Sequence, residues 1–243
     1  MIDFIERIAD ATGLPVGIKI AVGDTGFFEQ LALRMRERGG GPDFISIDGG
    51  EGGTGAAPRV FADHVSLPYK IGMSRVYRAF QEVGNAEDVV FIGTGRLGFP
   101  QEAMLAFALG ADMVSVAREA MISIGCIQAQ RCHTNHCPTG VATQSKWLMR
   151  GLDPASKSAR LANYVTTLRR ELLEVSRACG VAHPALVTPD HIELTDEHFG
   201  SRPVHEVFGY EPGWGVPRAN DIEALHALLG DAQLAASQGG SLH

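Results

Sequence analysis

A unit repeated four times within the first 120 residues constrains this chain more than any other feature: a short apolar run, a glycine turn, then a stretch with helical periodicity. The apolar runs lie at residues 16–22, 44–47, 89–92 and 113–116. Each is too short for a buried helix, and each is bounded by turn residues, so each reads as a strand. The first is followed, after Asp24 in a capping position, by Phe27, Phe28, Leu31 and Met35 on one helical side, with Arg36 and Arg38 near the end. Helical stretches at 73–83 and 100–109 follow the second and third runs, closed by Gly84 and Gly110, and Pro100 suits a first helical turn. One more helix, over Ile2–Thr12, precedes them all, with Ile2, Ile5 and Ile8 in register and Gly13 as its stop. Apolar strands alternating with helices specify a parallel sheet with crossover connections.

Four such units are half of a closed (β/α)₈ barrel, which needs eight and about 250 residues. The chain therefore reads as α/β, either a partial (β/α)₈ barrel carrying about the last four units or a small open sheet. Unclosed parallel edges leave backbone groups unpaired, so a further segment or a partner is expected to complete the sheet. On this reading residues 1–150 form the C-terminal half of the barrel with a cysteine loop. Residues 151–243 form a helical extension: a long helix over 154–179 with a buried stripe at Leu161, Val165, Leu168, Leu172 and Val175, a second helix near 221–229, and a disordered tail from 237.

The net charge of −7 comes without any Lys/Arg cluster that would make the basic stripe of a nucleic-acid binder. No run approaches the roughly 18 apolar residues of a membrane span. The opening residues lack the basic and apolar regions of a secretory signal. The expectation is a cytoplasmic protein with reduced thiols.

Under reducing conditions the spacing of Cys126, Cys132 and Cys137 is the strongest chemical signal. Three thiols fall within twelve residues, as C-x5-C-x4-C, and a proline follows the last. Thiolates are soft ligands that select zinc, copper(I) or iron–sulfur clusters. Three on one loop suit a three-iron cluster. A zinc site completed by His133 or His136, and inert buried thiols, are the alternatives. Cys179, late in the long helix, reads as a core residue.

Two glycine turns and one lysine add to this. Asp48-Gly-Gly-Glu-Gly-Gly-Thr-Gly55 follows the second strand directly, so Asp48, Gly49, Gly50, Gly52, Gly53, Thr54 and Gly55 are candidates for a backbone cradle around an anionic ligand. Gly93-Thr-Gly-Arg-Leu-Gly98 links the third strand to a helix N-terminus, a favourable place for phosphate, with Gly93, Thr94, Gly95 and Arg96 as candidates and Arg118 beyond the next strand as a second cation. A flexible surface loop is the alternative for the first, and a plain tight turn for the second. Lys19 lies inside a strand run, where a charge is unfavourable unless it faces a site or solvent.

These features, in this order, resemble the FMN-binding domain of glutamate synthase and the related stand-alone bacterial family. The resemblance runs from about residue 15 to 194 and is most specific at residues 48–58 and 125–144. It implies a (β/α)₈ barrel holding FMN and a [3Fe–4S] cluster, with Cys126, Cys132 and Cys137 as cluster ligands. It further implies Lys19 at the flavin and 2-oxoglutarate site, residues 48–55 beside the flavin, and Gly95 with Ala117 and Arg118 near the FMN phosphate. The family's phosphate stretch, of the type Gly-Gly-Leu-Lys-Thr-Gly, is altered here, which makes Arg96 the replacement cation. The implied reaction is reduction of 2-iminoglutarate, formed from 2-oxoglutarate and ammonia, to L-glutamate. The implied electron donor is ferredoxin or an NAD(P)H-oxidising subunit. A non-catalytic iron–sulfur electron-transfer or structural subunit that needs a partner to complete the barrel is the other reading.

Overall fold

The computed structural model describes residues 1–51, 60–61, 64–197 and 200–238. Its centre is a four-stranded parallel sheet of β1 (Gly17–Ala21), β2 (Phe44–Asp48), β3 (Val90–Thr94) and β4 (Met113–Ser115), in the order β1-β2-β3-β4. Helices α1 (Ile2–Thr12), α2 (Gly26–Arg38), α3 (Tyr69–Val83) and α4 (Pro100–Ala108) precede or connect the strands. The four strands thus appear at the positions their apolar runs predict.

Strand alternation divides the sheet into two unlike faces. Ile45, Ile47 and Phe91 are fully buried and share a core with Phe28 and Leu31 of α2 and Met73, Val76 and Phe80 of α3. Tyr77 and Phe80 pack edge-on against Phe91, with ring centroids 5.7 and 5.4 Å away. The intervening residues point the other way. Across that second face Lys19 pairs with Ser46, Ser46 with Ile92, and Ile92 with Met113. Val90 is 41% and Met113 51% exposed there, so among the described residues no helix closes over these positions. Among the described residues, β1 and β4 each have one strand neighbour and one free edge.

Beyond β4 come α5 (Arg118–Ser123), the cysteine loop, α6 (Pro154–Ala178), a two-stranded antiparallel pair of β5 (Glu193–Thr195) and β6 (Ser201–Pro203), α7 (Val204–Phe208) and α8 (Ala219–Gln238). The C-terminal part is therefore more than a helical extension. It also reaches into the main core: Val204 and Tyr210 are buried in it, Tyr210 stacks on Tyr77, and the Tyr210 hydroxyl donates to the Leu109 carbonyl at 2.8 Å.

Three local expectations need correction. The predicted stripe of α6 is only half-buried, and Val165 is 45% exposed. The helix rests on α4 and α5, and Ser176, buried beside Met104 of α4, is its one fully buried residue. Helix α3 begins at Tyr69, four residues before the predicted start, because its cap comes from a distant loop. Helix α8 extends through Ser237 and Gln238, which the sequence assigns to a disordered tail; the rest of that tail, residues 239–243, lies outside the described residues. No helix of the described residues is long and apolar enough to cross a membrane.

Candidate functional site

All four strands run the same way, so their C-terminal ends open on one side of the molecule, where parallel sheets present ligand-binding loops. Lys19 and Asp48 lie there on the uncovered face. The Lys19 Nζ is 3.2 Å from an Asp48 carboxylate oxygen, and the lysine side chain stays 61% exposed. Asp48 is two residues beyond Ser46, the β2 partner of Lys19, so the two side chains lie on one face and the pair follows from the register. A pair this open contributes little to stability. It does hold the ammonium in place at the sheet end.

Gly49 and Gly50 continue directly from Asp48, and their N–H groups donate to the carbonyls of Thr94 and Leu67, both at 2.8 Å. Gly52, Gly53, Thr54 and Gly55, the remainder of the predicted cradle, lie outside the described residues. Glu51 takes a structural role. Both its carboxylate oxygens accept from the Tyr69 N–H, at 2.9 and 2.8 Å, and so cap α3 with a negative charge at the positive end of the helix.

The sequence gives no signal for Tyr69, yet this side chain explains two glycines. It is almost wholly buried under the strand ends. A Cβ on Gly93 would fall 2.3 Å from its hydroxyl oxygen, and one on Gly49 2.7 Å from its Cβ. Neither position tolerates a side chain while Tyr69 is there. Among the described residues the Tyr69 hydroxyl has no hydrogen-bond partner, and burial, aided by nearby Glu51, pushes its pKa far above the ordinary tyrosine value.

The second turn, Gly93 to Gly98, includes Gly95 and Arg96, both at positive φ (149° and 54°). Its exit is held by α6: the Tyr164 hydroxyl donates to the Gly98 carbonyl at 2.7 Å. Ala117 caps α5, and Arg118, its first residue, lines the cavity of the cysteine loop.

Cys126, Cys132 and Cys137 all line that one cavity, of about 50 Å³, together with Arg118, Met121 and Arg131. Cys137 is buried and the other two half-buried, and all three are free thiols. The Gln128 N–H points at the Cys126 sulfur at 3.4 Å, and the Thr139 hydroxyl lies 3.5 Å from the Cys137 sulfur. Burial alone raises the Cys137 pKa. The Thr139 hydroxyl and the N–H groups of Ala142, Thr139 and Val141 outweigh it and bring the thiol down to about 7.

The loop keeps its shape through residues with no chemistry of their own. Asn135 adopts a left-handed conformation (φ 63°), and its side-chain oxygen accepts from the Gln144 N–H at 2.6 Å and from the Thr143 hydroxyl at 2.9 Å. Gly140 (φ 78°) leaves no room for a Cβ, which would sit 2.4 Å from the Leu148 carbonyl oxygen. The stretch from Gly140 to Gln144 is therefore the strap that carries N–H donors behind Cys137. Among the described residues, no three His, Cys, Asp or Glu side chains, the three thiols included, converge as a single metal ion requires. Three thiols round one cavity, with N–H groups donated to sulfur, fit a multi-atom iron–sulfur group by donor chemistry.

A four-stranded parallel sheet with glycine turns at its C-terminal end and a three-thiol loop beyond its last strand places the chain among α/β domains. The description "conserved region in glutamate synthase" matches residues 1–182. The chain belongs to the glutamate synthase family. It is 40% identical over 197 residues to the glutamate synthase large subunit-like protein YerD of Bacillus subtilis (strain 168), covering 81% of this chain and 38% of that protein. It is 37% identical over 139 residues to an archaeal glutamate synthase (NADPH) of Methanocaldococcus jannaschii, 57% of this chain and 27% of the relative. A ferredoxin-dependent glutamate synthase of Cyanidium caldarium is 41% identical over 108 residues, 44% of this chain and 7% of the relative. The chain thus spans well under half the length of these relatives.

Proposed function

We propose that this chain supplies the C-terminal half of an FMN-binding (β/α)₈ barrel of glutamate synthase type, which reduces 2-iminoglutarate, formed from 2-oxoglutarate and ammonia, to L-glutamate. The observation that carries the reading is that Cys126, Cys132 and Cys137 line one cavity beside Arg118, directly beyond the C-terminal end of β4. When bound, FMN supplies hydride transfer and a [3Fe–4S] cluster supplies one-electron relay; the protein supplies position and charge.

In this reading the three cysteines ligate the cluster, and the strap from Thr139 to Ala142 stabilises negative charge on sulfur. Lys19, aimed by Asp48, holds an anionic group of flavin or substrate on the uncovered sheet face. The residues at 48–55 and 93–96 lie beside the flavin, with the Gly49 and Gly50 N–H groups spent on the Thr94 and Leu67 carbonyls, and Arg96, Ala117 and Arg118 bound its phosphate. The free edges of β1 and β4 and the exposed second face support completion by another four β/α units, from further chain or from a partner. Ferredoxin or an NAD(P)H-oxidising subunit delivers the electrons. The second reading, an iron–sulfur electron-transfer or structural subunit without turnover, draws on those same free edges.

The test is anaerobic purification, alone and with the remaining barrel half of a relative co-expressed, followed by a visible spectrum and iron, sulfide and flavin analysis. The enzyme reading expects iron and sulfide in both, with flavin and 2-oxoglutarate-dependent turnover in the completed barrel. Iron and sulfide without flavin in the completed barrel would select the second reading. Cys132→Ser is expected to remove the cluster. Colourless, iron-free completed material would overturn both.

A further inference from the structure

At the opposite end of the sheet a cavity of about 500 Å³ opens by the N-terminal ends of β3 and β4. Its volume lies in the range of small-molecule sites, about 300–1,000 Å³. It takes no part in the chemistry described above. Phe107 from α4, Leu172 from α6, Pro184, and Val216 with Pro217 make its apolar walls.

Its charged groups fall into two kinds. Arg218 is satisfied internally, with its Nε 2.8 Å from Asp221 and 2.9 Å from Glu87. Arg169 also lines the cavity, and it has no ion-pair partner among the described residues, whereas its neighbour Arg170 pairs with Glu174. Asp112 lies in the wall as well. One of its carboxylate oxygens accepts the Phe91 N–H at 2.8 Å, and the carboxylate also feels its own backbone N–H and the Arg218 charge. The His183 Nδ1 accepts the Ala185 N–H at 3.2 Å, so the proton sits on Nε2 and the ring adds a neutral donor to the lining.

A guanidinium without an ion-pair partner among the described residues, a carboxylate and an apolar enclosure are the complement of one ligand class. We propose that this cavity binds an apolar, preferably aromatic, α-amino acid, with its carboxylate on Arg169, its ammonium on Asp112 and its side chain between Phe107 and Leu172. The site shares no lining residue with the thiol loop. Helix α4 is the rigid element common to both regions: its N-terminus follows the Gly93–Gly98 turn and its C-terminal end carries Phe107. Occupancy here is thereby placed to act on the turn.

The experiment is calorimetric titration of the purified chain with L-tryptophan, with tryptamine, which lacks the carboxylate, and with the des-amino acid, which lacks the ammonium. Saturable one-to-one binding of tryptophan is expected, weaker by about tenfold for either analogue. Arg169→Gln should weaken tryptophan and the des-amino acid and leave tryptamine unchanged. Asp112→Asn should weaken tryptophan and tryptamine and leave the des-amino acid unchanged. Ala185→Trp, a substitution at an exposed wall position, should fill the cavity and abolish all three without moving the unfolding midpoint. No saturable binding of L-tryptophan, L-phenylalanine or L-leucine would overturn the proposal, as would binding indifferent to Ala185→Trp. Iron and flavin contents report on the redox reading alone, so the two can fail separately.

Discussion

The hydroxyl of Tyr164, on the helix after the cysteine loop, donates to the carbonyl of Gly98, at the end of the turn before α4, across 2.7 Å. Two segments more than sixty residues apart are thereby joined beside Glu119 of α5. Desolvation, with the nearby Glu119 charge, pushes the tyrosine pKa up to about 12, so it remains a donor at any working pH. Tyr164→Phe removes this one bond. The expected loss is about 1 kcal/mol, the net worth of a typical hydrogen bond, together with weaker flavin retention in the completed barrel. Urea unfolding measures the first; an unchanged midpoint would show that the turn is held by other means.

The Gly93–Tyr69 contact makes a sharper prediction. Gly93→Ala places a methyl 2.3 Å from the Tyr69 hydroxyl oxygen and 2.8 Å from its ring carbon. Overpacking of this kind costs about 1–3 kcal/mol. Tyr69→Phe alone should be neutral or stabilising, since it deletes a buried hydroxyl with no partner among the described residues. The double variant should recover part of the alanine penalty, because the closest clash is gone. Strict additivity in this cycle would refute the assigned contact.

The sheet was legible because each strand run is apolar, short and bounded by turns, signals that sit within a few residues of one another. The ends of elements were less so. Tyr69 starts α3 because Glu51, eighteen residues earlier, caps it, and no local pattern encodes a cap across that distance. The same holds for the site. Cysteine spacing announces the thiol loop, whereas Tyr69, Tyr164 and Asn135 act through contacts made only once the chain has folded. The half-exposed α6 stripe has the converse cause: an amphipathic pattern reports a face able to be buried, and among the described residues its partners, α4 and α5, cover only part of it.

Asn135 tests how far the loop depends on its strap. Its left-handed backbone favours Asn or Gly, and its side chain accepts two hydrogen bonds from Thr143 and Gln144. Asn135→Gly keeps the conformation and loses the bonds; Asn135→Ala loses both. Iron retained per chain after gel filtration should fall in the order wild type, Gly, Ala, with unfolding free energies about 1–3 kcal/mol lower for Ala. Equal iron contents would mean that the cysteines are positioned without the strap.

Asp112 should shape the acid side of the stability profile. Although its side chain keeps an open side to solvent, desolvation in the cavity wall raises its pKa above the ordinary 3.8, outweighing the Phe91 N–H and the Arg218 charge. The folded state therefore holds the proton more tightly than the unfolded chain. By linkage, its contribution is fully present below the ordinary carboxylate value and is lost as pH rises through the raised one. Asp112→Asn removes this titration and keeps a side-chain oxygen to accept the Phe91 N–H. Urea unfolding across the acid range should give a variant whose stability, relative to wild type, improves with rising pH over that window and is constant above it. A constant difference through the window would show that Asp112 titrates alike in both states.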